Sequence, residues 1–268
     1  MTATTREQFG HAMDISGTAK IPFTRHVAVE LRKSYDTRAG FWLLFTIGAL
    51  VLLTEGIALA VTVVQDEPMN FGDFVGAAAF VTSIVLPVLG IMVVTSEWSQ
   101  RTAMVTFALE PRRPLIIAAK ALTGVILTLV TAALSIAIGL ICNLLYIAFQ
   151  GGGSWEFGTK YLFGFLITQT LAMLGGFALA TLLLNTPAAI VAFFVYKWVL
   201  PGLFALGSAL IGWFGDLSPW IDFQDAQIPL TDLSIAGDEW GKLLTSGVIW
   251  LVIPLVFGLR RILRAEVK

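Results

Sequence analysis

The stretch FWLLFTIGALVLLTEGIALAVTVV, residues 41–64, decides the fold of this chain. Its only charged residue is Glu55, and it is long enough to cross a bilayer core of about 30 Å, which takes roughly 20 residues in a helix. A helix is expected because backbone polar groups in lipid must be bonded within their own segment. Of the 268 residues, 57% are apolar and 13% are charged, against about 25% charged in soluble domains. These observations predict an all-α integral membrane protein.

Five further apolar runs of this kind give six predicted spans, at about 41–64, 74–95, 118–148, 161–184, 187–214 and 243–259. The runs are continuous, whereas the strands of a transmembrane barrel alternate. Together they define a six-helix transmembrane domain over 41–259 with a loop at 96–117, a segment at 215–241 and a tail at 260–268. The first 20 residues are predicted to be disordered and cytoplasmic.

Residues 21–40 are predicted to form an amphipathic helix in the membrane interface. Val27 and Leu31 fall on one face, and Arg32 and Lys33 on the other, which is the pattern of a helix that lies along a bilayer surface. A solvated lead-in to the first span is the alternative.

The basic residues predict the orientation. All but three of the 17 Lys and Arg residues lie before the first span, around the loop after the second, or in the tail. The exceptions are Lys160, Lys197 and Lys242. Because basic residues concentrate in cytoplasmic loops, both termini and the loop 96–117 are predicted to be cytoplasmic and 215–241 extracellular. The expected location is the cell (plasma) membrane, crossed several times.

The sequence offers little for catalysis. Cys142 is the single cysteine, and the two histidines, His11 and His26, precede the first span, so no disulfide or multi-cysteine metal site is expected. The net charge of −1 does not favour nucleic acid. The stretch 153–160 lacks the Gly-Lys-Ser/Thr order of a P-loop. We therefore expect no catalytic residue, metal or cofactor on this chain.

The loop EWSQRTAMVTFALEPRRP, residues 97–114, is the most informative polar stretch. Glu97 and Arg101 have the spacing of a helical ion pair, and Pro111 and Pro114 end the helix. An apolar stripe is formed by Met104, Val105, Ala108 and Leu109. The loop is predicted to contain a short amphipathic helix below the bilayer; a plain interfacial connector is the alternative.

This stretch resembles the signature of type-2 ABC transporter permeases, which have a Glu, a Gly-Thr pair, a Pro with a nearby Arg, and a Lys that opens the third span. Arg101 stands where Gly is common. The resemblance implies a coupling helix that contacts a separate ATPase subunit. The residues that would couple to that subunit are Glu97, Arg101, Thr102, Glu110, Pro111, Arg113 and Lys120.

The resemblance further implies the permease subunit of an ATP-driven exporter of an amphipathic or lipid-like small molecule or a peptide. It would work as a homodimer or with a related permease among membrane lipids, and ATP and Mg²⁺ would bind only the partner ATPase. A stand-alone channel or a proton-coupled carrier that uses Glu55 is the rival, although a carrier is expected to show internal repeats. A structural or immunity-type membrane protein is a third possibility.

Four polar residues within the spans are candidates for the pathway: Glu55, Lys197, Asn143 and Gln169. Glu55 and Lys197 are predicted about 21 Å and 15 Å from the cytoplasmic starts of their spans, at 1.5 Å per residue. We expect them to pair or to line a hydrated cavity; separate snorkelling is the alternative. Asn143 and Gln169 are expected to bond between helices, and Pro201-Gly202 to break the fifth span.

Overall fold

A computed structural model describes residues 21–264, and over that range the secondary structure is helical except for one isolated bridge between Asn70 and Ser154. The prediction for residues 1–20 and the last four residues of the tail lie outside the described range. Six helices are long and apolar enough to cross a membrane: Arg38–Gln65, Phe71–Ser99, Arg113–Gln150, Thr159–Leu183, Thr186–Leu210 and Glu239–Arg264. The all-α class and six helices of membrane-spanning length and hydropathy are thereby confirmed.

The helices are numbered in chain order. They are α1 (Phe23–Asp36), α2 (Arg38–Gln65), α3 (Phe71–Ser99), α4 (Ala103–Leu109), α5 (Arg113–Gln150), α6 (Thr159–Leu183), α7 (Thr186–Phe194), α8 (Leu200–Leu210), α9 (Gly212–Ile221), α10 (Phe223–Ala226), α11 (Glu239–Gly247) and α12 (Ile253–Arg264). The fifth span comprises α7 and α8, and the sixth comprises α11 and α12. The bundle end that carries α4, Arg112 and Arg260 is called the basic end below.

Local caps set the ends of the spans. The second span begins at Phe71 rather than Phe74, because Asn70 and Asp73 form a capping box: Asn70 Oδ1 accepts from the Asp73 N–H at 3.2 Å, and Asp73 Oδ2 from the Asn70 N–H at 3.0 Å. Such a box satisfies backbone donors that the first turn of a helix leaves free. The third span ends at Gln150 and is capped by Gly151, whose φ of 67° suits a residue without Cβ.

The third span is longer than a bilayer requires. Its 38 residues extend about 57 Å at 1.5 Å per residue, well beyond a core of about 30 Å. Its first turns, around Arg113 and Lys120, lie at the basic end.

Small residues bring α3 and α6 together in the centre of the bundle. A Cβ at Gly176 of α6 would overlap the Pro87 carbonyl oxygen of α3, and a Cβ at Gly90 of α3 would overlap the Met173 carbonyl oxygen of α6. Phe177 fills the same interface and is 1% exposed. Close backbone approach at glycines is typical of packing between membrane helices.

The fifth and sixth spans each contain a π-helical turn just before a proline, at Val195–Val199 before Pro201 and at Val248–Val252 before Pro254. Proline lacks an N–H and clashes with the carbonyl four residues earlier, and a wider π turn accommodates both defects. The predicted break at Pro201-Gly202 is therefore wrong, since α8 continues to Leu210.

The segment after the fifth span folds into short helices. The span ends at Leu210, before the predicted limit of 214, and α9 begins at Gly212. After α10, a 3₁₀ turn covers Ile228–Leu230. The Trp250 Nε1–H donates to the Ile221 carbonyl at 2.8 Å, which fixes this segment to the sixth span.

Candidate functional site

A buried charged residue of α5 lies at the centre of the basic end. Lys120 Nζ lies 2.6 Å from Glu30 Oε2 of α1 and 3.3 Å from Glu97 Oε1 of α3. It also donates to the Val93 carbonyl at 3.2 Å. The Lys120 residue is only 2% exposed. Because a buried charge requires a partner and hydrogen bonds, this ammonium fixes three helices relative to one another.

A second lysine completes the cluster. Lys33 Nζ of α1 lies 2.6 Å from Glu30 Oε1 and 2.7 Å from Glu97 Oε1. Burial disfavours the Lys33 ammonium, but the carboxylates of Glu30 and Glu97 outweigh it and raise the pKa of Lys33. The two carboxylates and two ammonium groups of Glu30, Lys33, Glu97 and Lys120 balance. We call these four residues the charge cluster.

The charge cluster also contacts α4. The Thr106 hydroxyl donates to Glu97 Oε1 at 3.2 Å, and the Thr102 N–H donates to the Glu97 carbonyl at 2.9 Å. The predicted helical ion pair of Glu97 with Arg101 is wrong, because α3 ends at Ser99 and Arg101 adopts a φ of 58° beyond that end. Arg101 is exposed instead.

The helix α4 has one buried and one exposed side. Ala103 and Phe107 are buried, and the Arg113 guanidinium lies 5.0 Å from the centre of the Phe107 ring. The exposed side consists of four apolar residues, which we call the α4 face: Met104, Val105, Ala108 and Leu109. The predicted apolar stripe thus points away from the chain.

A second group of polar contacts follows α4. Glu110 accepts hydrogen bonds from the Arg112 guanidinium at 2.8 and 2.9 Å, and His26 Nε2 of α1 lies 3.3 Å from its carboxylate. The hydrogen bonds from Arg112 lower the pKa of Glu110 to about 2. Pro111 between them is exposed.

Arginines connect this end to the last span. Arg113 Nη1 donates to the Ile262 carbonyl of α12 at 2.5 Å, and Arg261 Nη1 of α12 donates to the Leu182 carbonyl of α6 at 2.6 Å. Through Arg113, therefore, α12 is connected to the turn that follows α4.

Five residues of the basic end are not among the site residues predicted from the sequence: His26, Glu30, Lys33, Thr106 and Arg112. Glu30, the acidic member of the charge cluster on α1, is 5% exposed and lies among basic residues of a helix interpreted as interfacial. The signal available was an acid in the middle of a mostly basic helix, three residues before Lys33.

The two intramembrane charges are not brought together within the chain. Glu55 is fully buried beside Gly139, and neither of its carboxyl oxygens has a hydrogen-bond partner among residues 21–264. Lys197 Nζ instead lies 3.3 Å from Gln224 Oε1 and 5.7 Å from the centre of the Trp198 ring. The Glu55–Lys197 ion pair is therefore absent from one subunit over the described range; pairing across a dimer stays a prediction.

The two intramembrane amides make different contacts. Gln169 Nε2 of α6 donates to the Ala79 carbonyl of α3 at 3.1 Å, a bond between helices. Asn143 Nδ2 of α5 donates to the Ser154 carbonyl of the following loop at 3.4 Å. Gln169 and Lys197 line one cavity of about 240 Å³ between α3, α6 and α7.

Comparison of the chain with protein-family models and with curated proteins gives no match. Over the described range, no group of three or more His, Cys, Asp or Glu residues could hold a metal ion. A function for this chain must therefore be inferred from the geometry of the basic end and of the spans.

Proposed function

We propose that this chain is the membrane-spanning permease subunit of an ATP-driven exporter, similar to type-2 ABC permeases. The observation that carries the proposal is the α4 face, an apolar surface on a short helix between the second and third spans. Leu109 is 77% exposed and Val105 is 60% exposed. Adjacent apolar side chains of this exposure mark an interaction surface, and we assign it to an ATPase subunit.

The attachment of α4 supports a role in transmitting force. Thr106 connects it to the charge cluster and hence to α1, α3 and α5, and Arg113 connects the following turn to α12. A displacement of α4 would therefore be transmitted to several spans and not only to the loop that contains it. In this proposal the partner binds ATP and Mg²⁺, and its hydrolysis cycle moves α4.

The orientation is part of the proposal. The basic end carries Arg101, Arg112, Arg113, Arg260 and Arg264, whereas the opposite end carries acids such as Asp66, Glu67, Glu156 and Asp238. The preference of basic residues for the cytoplasmic side supports the part of the proposal in which α4 and both termini are in the cytoplasm of a cell-membrane protein. A second permease subunit would complete the pathway for an amphipathic or lipid-like molecule or a peptide.

Co-purification with a matched pair of variants tests the proposal. The tagged full-length chain should bring with it a protein that hydrolyses ATP and contains a Gly-x-x-x-x-Gly-Lys-Ser/Thr sequence. Leu109→Asp, which places a charge on the α4 face, should reduce its recovery about tenfold, whereas Leu217→Asp on the exposed side of α9 should not. Recovery unaffected by Leu109→Asp would contradict the proposal.

A stand-alone channel or a proton-coupled carrier is the second candidate, favoured by the buried carboxyl of Glu55 that lacks a hydrogen-bond partner in the described part of the chain. Ionisable residues in spans often belong to proton relays. The purified chain in liposomes, without ATP or any other protein, separates the two functions. Flux that is driven by a pH gradient and lost in Glu55→Gln would support the carrier and contradict the exporter.

A further inference from the structure

The fifth span carries a lysine that is not neutralised by an acid of the described chain. No carboxylate among residues 21–264 forms an ion pair with Lys197, and its nearest polar contact is the Gln224 amide oxygen. The nearby Asp222 carboxylate accepts the backbone N–H groups of Gln224 and Asp225 instead. An ionisable residue within a span indicates a functional site and calls for a named partner.

The cavity beside Lys197 is lined by both polar and apolar residues. Its volume of about 240 Å³ approaches the lower limit of small-molecule pockets, about 300 Å³. Its polar lining residues include Ser83, Thr168, Gln169, Lys197, Gln224 and Gln227, and its apolar ones include Ala79, Leu171, Ala172, Phe193 and Ile228. None of the described residues that line it is acidic. A ligand with an acidic group and an apolar part matches this mixed lining.

Gln169 supplies an independent indication of a ligand. It is 3% exposed, and its Nε2 donates a hydrogen bond to the Ala79 carbonyl. Its Oε1 is buried and has no hydrogen-bond partner in the described part of the chain. A buried acceptor without a partner costs free energy, and this one belongs to a residue that lines the cavity. A hydroxyl or N–H of a bound molecule would satisfy it.

We propose that this cavity binds an amphipathic carboxylate, with the Lys197 ammonium as its counter-ion and Gln169 Oε1 accepting a hydrogen bond from a hydroxyl or N–H of the same molecule. The π turn at Val195–Val199 is part of this site, because it includes Lys197 itself. The proposal concerns binding by this chain alone. It goes beyond the proposed function and holds whether or not an ATPase subunit is the partner.

Equilibrium dialysis of the full-length chain in phosphatidylcholine nanodiscs tests the site, with empty nanodiscs as the blank. The probes are 2-hydroxyoctanoate, octanoate, which lacks the hydroxyl, and 2-octanol, which lacks the carboxylate. We expect 2-hydroxyoctanoate to bind saturably and 2-octanol to bind about tenfold or more weakly, as the loss of a charge-assisted contact implies.

Four variants locate the binding. Lys197→Met should weaken 2-hydroxyoctanoate about tenfold or more, whereas Lys197→Arg should retain most of the affinity. Lys160→Met removes a lysine in the first turn of α6 that does not line the cavity, and should change nothing. Gln169→Leu should lower the affinity for 2-hydroxyoctanoate towards that for octanoate.

Two results would overturn the proposal. One is equal binding of 2-hydroxyoctanoate and 2-octanol, because the carboxylate would then contribute nothing. The other is unchanged binding to Lys197→Met that remains monodisperse, which would leave Lys197 as a residue that only extends to the membrane surface. Should Lys197→Met fail to fold, the three-probe comparison on the unmodified chain and Lys197→Arg still decides the question.

Discussion

Lys120 on the third span donates a hydrogen bond of 2.6 Å to Glu30 on the N-terminal helix, across 90 residues of sequence. Both residues are almost fully buried, so this bond positions α1 against the bundle. With Lys33 and Glu97 it forms a balanced cluster next to α4. The order of the basic end therefore depends on three buried charged groups, those of Glu30, Glu97 and Lys120, and on the partly exposed ammonium of Lys33.

Removal of one member of the charge cluster should lower the free energy of unfolding. Lys120→Met leaves Glu30 with one ammonium partner instead of two, and breaking a buried pair typically costs about 3–5 kcal/mol. We expect the free energy of unfolding in a detergent titration to fall by an amount of this order. Glu30→Gln combined with Lys120→Met should recover part of the loss, because the pair is then removed as a unit.

The exposed pair of Arg32 with Asp36 is the matched control, because it lies on α1, the helix that carries Glu30. Its side chains are 73% and 48% exposed, and exposed pairs contribute about 0–1 kcal/mol. Arg32→Ala should thus leave the titration almost unchanged. Equal losses for Arg32→Ala and Lys120→Met would contradict the importance assigned to the buried cluster.

The fold should be more stable with glycine at position 101 than with arginine. The Arg101 φ of 58° is in the left-handed region, which costs a residue with a Cβ about 1–2 kcal/mol. Glycine removes this strain but loses more backbone entropy on folding. The net result for Arg101→Gly should be a free energy of unfolding that is higher by up to about 1 kcal/mol. Arg101→Ala keeps the Cβ and should give no such gain; a larger gain from alanine than from glycine would count against this backbone conformation.

Two glycines of α3 should respond differently to alanine. Gly90→Ala would push a methyl group into the Met173 carbonyl oxygen of α6, and such overpacking costs about 1–3 kcal/mol. Gly76→Ala on the same helix meets nothing within 4 Å and should be neutral or slightly stabilising. The measurement is the thermal midpoint of each variant in the same detergent. Similar midpoints for both would contradict the close contact of α3 with α6.

The contact of Glu110 with Arg112 and His26 should weaken in acid. Its pKa in the folded chain is about 2, below the ordinary 4.5, so its stabilisation is fully present above about pH 4.5 and is lost as the pH falls towards 2. Unfolding of the wild type and of Glu110→Gln should therefore differ at pH 6 and converge in acid. Glu156→Gln at the opposite end should match the wild type throughout. A difference between wild type and Glu110→Gln that grows in acid would contradict a lowered pKa for this carboxyl.

The sequence predicts the all-α class and the spans because a long apolar run in lipid can adopt few structures. The exact ends depend on local caps such as Asn70 with Asp73, which move a span by a turn without changing its hydropathy. The Glu97–Arg101 prediction failed because Ser99 ends the helix where neither Gly nor Pro marks an end. The cluster partner of Lys120 could not be predicted, since Glu30 meets it only after α1 folds back on the bundle.

For the candidate cavity, too, the sequence predicts some features and not others. Lys197 and Gln169 stand out in the sequence because charged and amide groups are rare in spans. Their common cavity depends on how α6 packs against α3 and on the π turn before Pro201, and neither feature has a periodic signal in the sequence. The choice of Glu55 as the partner of Lys197 assumed that similar depth implies contact, whereas the two side chains have different surroundings.

Photo-cross-linking from position 105 tests the central claim most directly. A photoreactive amino acid replaces Val105 in the middle of the α4 face, and the products formed in whole cells during transport are identified by mass spectrometry. The proposed function predicts a cross-link to a cytoplasmic ATP-hydrolysing chain, absent when the same photoreactive residue replaces Leu217 instead. Cross-links from position 105 to lipid alone, or to proteins outside the cell, would contradict it.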